Sequence, residues 1–171
     1  MTKDIEALKE IIKKDNKNID AWVKIGLAYS NIYDFENAIN AYEKALEIDP
    51  NNAINWHNLG YFYYEIEDYD NAIKYLKKAL ELNADMAITW TELSSVYVDK
   101  GDFNNTIKVC KTALKLDPND EVAWTNLGSA YFNLRKYNDA IRALKMALSI
   151  IPGLNFARKV LEMAEKEKRK I

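Results

Sequence analysis

Residues 53–86 read AINWHNLGYFYYEIEDYDNAIKYLKKALELNADM, and the pattern of this 34-residue stretch decides how the rest of the chain is interpreted. Its single tryptophan, Trp56, has counterparts at Trp22, Trp90 and Trp124, each 34 residues from the next. A fixed period of this length is the sequence signature of a repeat protein. We therefore divide the chain into four equal repeats with no insertion between them. They are residues 19–52, 53–86, 87–120 and 121–154.

Other residue types recur in phase with the tryptophan, which is position 4 of each 34-residue repeat. In the second repeat, position 7 is Leu59, position 8 is Gly60 and position 11 is Tyr63, and the other repeats carry residues of matching size there. Alanine or threonine occupies position 20, and alanine occupies position 27. Position 32 accounts for all three prolines of the chain, which are Pro50, Pro118 and Pro152.

Each repeat predicts a pair of α-helices. Positions 4, 7 and 11 are spaced three and four residues apart, so that Trp22, Ile25 and Tyr29 share one face of a first helix, helix A. Positions 21, 24, 27 and 28 have the same spacing and predict a second helix, helix B. The small residues at positions 8, 20 and 27 let the two backbones approach, because a bulky side chain would hold them apart. In the short connecting turns, aspartates can cap helix B and Gly101 can take a positive φ angle.

This pattern resembles the tetratricopeptide repeat family, in which Trp, Leu-Gly, Tyr, Ala and Pro recur with a 34-residue period. Trp124, Leu127, Gly128 and Tyr131 match the first half of that motif fully. The resemblance implies an all-α fold, a right-handed α-solenoid of stacked antiparallel helical hairpins. The departures from the motif keep residue size or helix tolerance, and they are Ala84, Ser94, Thr106 and Cys110.

The two ends of the chain are expected to differ from the four repeats, because terminal repeats cap a solenoid. Apolar residues between Ile5 and Ile12 take helix B positions once one period is subtracted, so residues 3–18 are interpreted as a half-repeat whose helix A is missing. Residues 155–171 are interpreted as a C-terminal capping helix with a polar outer side. We predict that residues 1–171 form a single domain.

Composition excludes several classes of function. The chain has 24 Lys plus Arg against 26 Asp plus Glu, a net charge of −2, which disfavours nucleic-acid binding because that requires clustered basic charge. One cysteine, Cys110, and one histidine, His57, allow no intrachain disulfide, no zinc site and no Cys/His or multi-His catalytic grouping. We therefore predict no enzymatic activity, cofactor or metal. No stretch approaches the roughly 18 apolar residues of a membrane span and the N-terminus is too charged for a secretory signal, so we expect no membrane insertion and a cytoplasmic location.

In the resembled family, positions 2, 5, 6, 9, 12 and 13 of successive A helices line a concave groove that holds an extended or helical peptide. The resemblance therefore implies a scaffold that binds a protein or peptide partner in this groove. The candidate ligand-binding residues are Val23, Leu27, Ile54, His57, Asn58, Tyr61, Tyr64, Glu65, Ile88, Thr91, Glu92, Ser95, Asp99, Val122, Thr125, Asn126, Ser129 and Phe132.

The candidate groove mixes apolar, aromatic and amide groups with a slight acidic bias. Tyr61, Tyr64 and Phe132 are expected to anchor a ligand, because a few aromatic residues carry most of the energy of an interface. The alternative is that these three side chains only fill space between neighbouring helices. The acidic candidates, such as Glu65 and Asp99, should favour ligands with Lys or Arg beside their apolar anchors.

Two other functions are conceivable for such a repeat chain, namely a carboxylate clamp and self-assembly. One subclass of the family grips the C-terminal carboxylate of chaperones with lysines and asparagines at fixed groove positions. In the first frame those positions hold Val23, Leu27, Asn58, Ile88 and Glu92, so a carboxylate would meet no Lys or Arg fork and this clamp is absent. The second possibility is a self-assembling homo-oligomer that pairs through the N-terminal half-repeat or the groove, because a half-repeat without its helix A leaves apolar surface uncovered.

Overall fold

The computed structural model describes the backbone of residues 2–170 and the side chains of residues 5–170. Within this part of the chain there are ten α-helices and no strand, which confirms the all-α fold class. The helices are α1 (Thr2–Lys14), α2 (Ile19–Ser30), α3 (Phe35–Ile48), α4 (Ala53–Glu65), α5 (Tyr69–Leu82), α6 (Ala87–Asp99), α7 (Phe103–Leu116), α8 (Glu121–Asn133), α9 (Tyr137–Ile150) and α10 (Asn155–Lys168).

The chain divides into two compact units, an N-terminal unit (Met1–Ala84) and a C-terminal unit (Asp85–Ile171). In the N-terminal unit, α2 packs on α3 and α4 packs on α5 as the two hairpins of the first two repeats, and α3 also packs on α4. Helix α1, the predicted half-repeat, packs on α2. The core of this unit is formed by Ala38, Ile39, Tyr42, Leu46, Leu59 and Phe62. A single domain over the whole chain stays a prediction.

The C-terminal unit repeats this arrangement with α6 on α7 and α8 on α9. Helix α10, the predicted capping helix, packs on both α8 and α9, and α6 also contacts α8. Three A-type helices of this unit, α6, α8 and α10, therefore follow one another in contact. Its buried clusters contain Cys110, Leu127, Ala143, Ala140, Leu144, Ala147, Ala157, Val160 and Ala164.

The capping predicted for the B helices is present in three of the four repeats. Asp34, Asp68 and Asp102 each accept a hydrogen bond from the backbone N–H three residues later, with N···O distances of 3.3, 3.2 and 3.1 Å. Satisfying one of the unpaired N–H groups at a helix start stabilises it by about 1 kcal/mol. In the fourth repeat the position is Lys136, whose side chain makes no cap bond.

Position 15, in the turn between the two helices of each repeat, takes the left-handed backbone conformation in all four repeats. Gly101 has a φ of 77°, as the sequence predicted. The other three residues, Tyr33, Glu67 and Arg135, adopt φ angles of 59°, 61° and 59° although they carry side chains. This conformation is uncommon outside glycine, so the packing of the hairpin, and not local preference, sets the turn.

Helices A and B approach closely where position 8 meets position 24 of the same repeat. A β-carbon on Gly60 would lie 2.7 Å from Cγ of Leu76 and 2.9 Å from its backbone nitrogen. Such distances are shorter than van der Waals contact, so only glycine fits at this backbone position. The same close approach occurs between Gly26 and Tyr42 and between Gly128 and Leu144.

The third repeat solves the same contact with a different pair of residues. Position 8 is the larger Ser94 and position 24 is the smaller Cys110, and both are fully buried. The Ser94 hydroxyl donates to the Thr91 carbonyl at 2.6 Å and also interacts with the Cys110 thiol. The added volume at position 8 is therefore offset by the loss of volume at position 24.

The indole N–H of the repeat tryptophan closes the turn that precedes helix A. Trp56 and Trp124 donate from Nε1 to the carbonyl oxygens of Pro50 and Pro118, at 2.8 and 2.9 Å. In α10 the tryptophan position is Arg158, whose guanidinium donates to the Pro152 carbonyl instead. The capping helix therefore keeps this contact with a polar side chain.

Candidate ligand-binding site

The A-helix face is defined here as positions 2, 5, 6, 9, 12 and 13 of the A helices, which a spacing of three and four residues places along one side of each helix. In the N-terminal unit it lies on α2 and α4. Leu27 and Ile54 are 47% and 62% exposed, and Glu65 is also exposed. The other predicted residues of this unit are half-buried, and they are Val23, His57, Asn58, Tyr61 and Tyr64.

Asn58, at position 6, is bound within the fold. Its side-chain Nδ2 donates to the hydroxyl of Tyr42 at 3.1 Å, and Tyr42 is fully buried. Removing the amide would leave the buried hydroxyl without this partner, which costs about 1–3 kcal/mol. Asn58 therefore supports the core of the N-terminal unit, and less of its side chain is available to a ligand than its groove position suggests.

The aromatic candidates pack against neighbouring rings. The Tyr61 ring lies edge-on to Phe62 at 5.6 Å between centroids, and Tyr64 lies 6.2 Å from Tyr69. Phe132 lies 5.9 Å from Tyr137. These contacts favour the space-filling alternative for part of each ring, while each side chain keeps some exposed surface.

The imidazole of His57 is half-buried, and its burial lowers the pKa of the side chain below its ordinary value. Burial has this effect because it penalises the charged form of the imidazole. His57 is therefore neutral at pH 7 and can act in the A-helix face as a hydrogen-bonding group without a charge.

We expect the His57 titration to be directly visible, because it is the only histidine of the chain. Its Hε1 proton shift, followed by NMR against pH, should have a midpoint below the ordinary value of about 6.5. Since the unfolded chain then binds the proton more readily, the free energy of unfolding should decrease as pH falls below about 6.5. His57→Gln should reduce that decrease in urea titrations. A midpoint at or above 6.5 would contradict the burial effect.

In the C-terminal unit, the A-helix face extends over the contacting helices α6, α8 and α10. Ile88 on α6 and Val122 on α8 occupy position 2 and are 63% and 43% exposed. Phe156 on α10 lies one further period along the chain and is 61% exposed. The interpretation of α10 as a polar cap missed Phe156, although its distance of 34 residues from Val122 is the signal that places it at position 2.

Several polar candidates of the C-terminal unit hold the fold together. Thr91 is buried and hydrogen-bonds to the carboxylate of Asp120, the N-cap of α8. Asn126 donates to the hydroxyls of Ser94 and Ser95 at 2.8 and 3.0 Å. Two further candidates are satisfied locally or enclosed, since Thr125 donates to the Glu121 carbonyl at 2.7 Å and Ser129 is only 4% exposed. The exposed apolar residues are thus the more accessible part of this face.

The thiol and the acidic side chains outside the A-helix face show no sign of reactive or metal-binding chemistry in the described residues. Cys110 is fully buried, and burial raises the pKa of its thiol to about 12, so the reactive thiolate is scarce at neutral pH. Among residues 5–170, whose side chains are described, no group of three or more His, Cys, Asp or Glu is placed to hold a metal ion. In the same part of the chain, no helix has the length and apolar character needed to span a membrane.

Comparison with known proteins places this geometry in a family. The model for the cytochrome c-type biogenesis protein H TPR domain matches residues 46–158, and a tetratricopeptide repeat model matches residues 19–52. The chain belongs to the tetratricopeptide repeat family. The boundaries of the second match equal those of the first repeat. The fold of the chain is the all-α repeat solenoid that the TPR family uses as a protein-interaction scaffold. A search of curated proteins found no match.

Solved TPR structures are similar over most of the chain. One crystal structure of MamA is 25% identical with a TM-score of 0.82, covering 98% of this chain and 90% of that one. A second MamA structure is 27% identical with a TM-score of 0.82, covering 85% of this chain and 80% of that one. The structure of YrrB, described as a TPR protein with an unusual peptide-binding site, is 22% identical with a TM-score of 0.82. The match covers 96% of this chain and 85% of that one. The YrrB likeness establishes the fold alone.

Proposed function

We propose that this chain is a non-enzymatic scaffold that binds a peptide or a partner segment on its A-helix faces. The observation that supports this most directly lies in the C-terminal unit, where three contacting A-type helices each expose a large apolar side chain at position 2. These are Ile88, Val122 and Phe156. Large apolar side chains that stay exposed at one repeated position are typical of a protein-binding surface.

The apolar side chains are also the energetic basis of the proposal. Burying a side chain of this size is favourable by about 1.5–3 kcal/mol, whereas polar groups already bonded within the fold contribute little to a new contact. Ile54 and Leu27 offer comparable anchors in the N-terminal unit. The YrrB structure is a precedent for peptide binding by a protein of this fold.

In each unit an exposed carboxylate on the A-helix face favours a basic ligand, near α4 in the N-terminal unit and near α6 in the C-terminal unit. Glu65 and Asp99 are exposed at position 13 of these helices. Ligands with Lys or Arg beside their apolar anchors would be attracted to them, and their association rate should fall as salt is added. On α10, the exposed Lys159 lies close in sequence to Phe156, so the acidic preference does not extend to that helix.

The test uses peptides selected on the purified chain from a random 12-residue display library and measured by fluorescence anisotropy. Replacing Ile88, Val122 and Phe156 together by serine should lower the affinity of the selected peptides that bind the A-helix face about tenfold or more. This corresponds to about 1.4 kcal/mol. The matched control replaces Leu116 and Ile151, two exposed apolar residues at other repeat positions, by serine. If no selected peptide loses affinity in the triple variant while its circular dichroism is unchanged, the proposal is wrong.

Self-association is the second proposal, because Ile11 on the half-repeat helix α1 is 43% exposed. Light scattering over a range of concentrations separates it from peptide binding. A mass that rises with concentration, and no longer does so in Ile11→Ser, would favour it. The cytoplasmic location expected from the sequence stays a prediction.

A further inference from the structure

The C-terminal unit has an open groove on its B-helix side, between α7 and α9, with α8 as its floor. The groove has a volume of about 750 Å³. Its apolar surface comes from positions that differ from those of the A-helix face, including 4, 7 and 11 of α8. The main apolar residues are Leu114, Trp124, Leu127, Tyr131, Ala143 and Met146.

The equivalent place in the N-terminal unit, between α3 and α5, is filled by the side chains of the chain itself. Tyr75, at position 23, stacks on Trp56 with centroids 5.5 Å apart and an interplanar angle of 17°. Its ring also lies 5.1 Å from Tyr63, whose hydroxyl donates to Glu43 at 3.1 Å. The remaining space is about 360 Å³. An aromatic ring and a carboxylate therefore occupy this groove.

Both of these groups are missing from the groove of the C-terminal unit. Position 23 is Ala143, so the tryptophan there, Trp124, has no equivalent of the Tyr75 ring above it. The position of Glu43 is taken by Lys111, so the hydroxyl of Tyr131 has no equivalent of that carboxylate. The groove of the C-terminal unit thus lacks both the aromatic ring over its tryptophan and the carboxylate beside its tyrosine hydroxyl.

The rim of this groove is strongly cationic. Arg142 is paired with Asp139, and Lys145 lies 3.8 Å from Glu165. The other two cations, Lys111 and Lys115, are exposed and make no salt bridge within residues 5–170. Helix α7, which carries both, contains no acidic residue. Uncompensated lysines around an apolar floor favour a ligand that supplies negative charge.

The first groove of the N-terminal unit, between α1 and α3, provides an internal comparison. It also has alanine at position 23, Ala41, and a volume of about 350 Å³. Its lysines, Lys9 and Lys13, are however paired with Glu6 and Glu10 on α1. This groove therefore has no ring at position 23, but it is no larger than the space left beside Tyr75, and its cations are already compensated.

We propose that the groove between α7 and α9 binds a peptide segment with an aromatic residue within four residues of an acidic one. The aromatic ring would stack on Trp124, where Tyr75 stacks on Trp56 in the other unit. The carboxylate would accept a hydrogen bond from the Tyr131 hydroxyl and pair with Lys111. This proposal concerns a surface separate from the A-helix face and does not rest on the function proposed above.

The test selects peptides on the full chain from the same random 12-residue library and measures each fluorescein-labelled peptide by anisotropy. The expected result is a set of peptides with Phe, Tyr or Trp within four residues of Asp or Glu. Ala143→Tyr and Lys111→Glu supply the ring and the carboxylate that the N-terminal unit already contains, so each should weaken these peptides at least fivefold. Because Lys111 is exposed, its variant stays informative even if Ala143→Tyr fails to fold.

The matched control is Ala41→Tyr, which makes the same change in the first groove and should leave affinity within twofold. The triple variant in which Ile88, Val122 and Phe156 are replaced by serine should also bind these peptides with unchanged affinity. Four outcomes would overturn the proposal. The first is that no selected peptide carries the aromatic and acidic residues, and the second is that Ala143→Tyr or Lys111→Glu weakens binding less than fivefold. The third is that Ala41→Tyr loses binding. The fourth is that the free chain forms a dimer that Ala143→Tyr abolishes, because the occupant of the groove would then be a second copy of the chain.

Discussion

Replacing Gly60 by leucine is expected to lower the free energy of unfolding by about 3 kcal/mol or more, at the upper end of overpacking effects. Even a single β-carbon would lie 2.7 Å from Cγ of Leu76 and 2.9 Å from its backbone nitrogen. The backbone atom cannot move without separating α4 from α5. Leucine has a better helix propensity than glycine by about 1 kcal/mol, which is too small to offset the clash.

Urea unfolding followed by circular dichroism measures this change. Gly153→Leu is the matched control, because a β-carbon there meets nothing within 4 Å. Asn58→Ala, which removes the bond to Tyr42, should lie between the two, at about 1–3 kcal/mol. Equal shifts of the unfolding midpoint for Gly60→Leu and Gly153→Leu would show that positions 8 and 24 are not the tight contact described.

Enlarging Cys110 to leucine should destabilise the C-terminal unit by about 1–3 kcal/mol, and replacing Ser94 by glycine in the same chain should recover most of that loss. Both residues are fully buried at the contact of α6 with α7. Two other repeats carry leucine at position 24, Leu76 and Leu144, and each fits only because the facing residue is glycine. The double variant therefore reproduces a combination that the chain already uses twice.

A double-mutant cycle provides the measurement for this pair. Each single variant and the double variant are unfolded in urea, and the coupling is the departure from additivity. Ser94→Gly alone is expected to be destabilising, because it leaves a small cavity and introduces glycine into a helix. We expect a favourable coupling of about 1 kcal/mol or more. Additive effects of the two substitutions would mean that the volumes at positions 8 and 24 are set independently.

The sequence was sufficient for the helices and their pairing, because periodicity depends only on the chain itself. The 34-residue spacing of the tryptophans placed every hairpin, and Asp68 and Gly101 took the cap and turn roles that their chemistry favours. Tyr33, Glu67 and Arg135 were not predictable in the same way. Their left-handed backbone opposes local preference, and only the packing of the finished hairpin imposes it.

The candidate site was less predictable, because its polar residues find partners far away in sequence. Asn58 bonds to a residue 16 positions earlier, and Asn126 bonds to hydroxyls 31 and 32 positions earlier. Spacing along one helix shows which side a residue faces, but it does not show whether its hydrogen bonds are already used. The exposed residues Ile54 and Ile88 depend on no such partner, and position alone located them.

Position 23 is Ala41, Tyr75, Val109 and Ala143 in the four repeats, and these identities alone do not show which residue fills a groove. Their effect appears only when α7, α8 and α9 are assembled, or α3, α4 and α5. Tyr75 then covers Trp56, whereas Ala143 leaves Trp124 uncovered. The grooves on the B-helix side were therefore absent from the sequence-based prediction.

Position 23 lies beside the contact between positions 8 and 24 without being part of it. A repeat can therefore exchange alanine for tyrosine there, as Ala41, Tyr75 and Ala143 show, while the glycine and its large partner keep the hairpin closed. The residue at position 23 can therefore change the lining of an outer groove without changing the contact that closes the hairpin. Repeats can therefore differ in their outer grooves by one residue at a time. A substitution that binds no ligand still leaves a chain that folds.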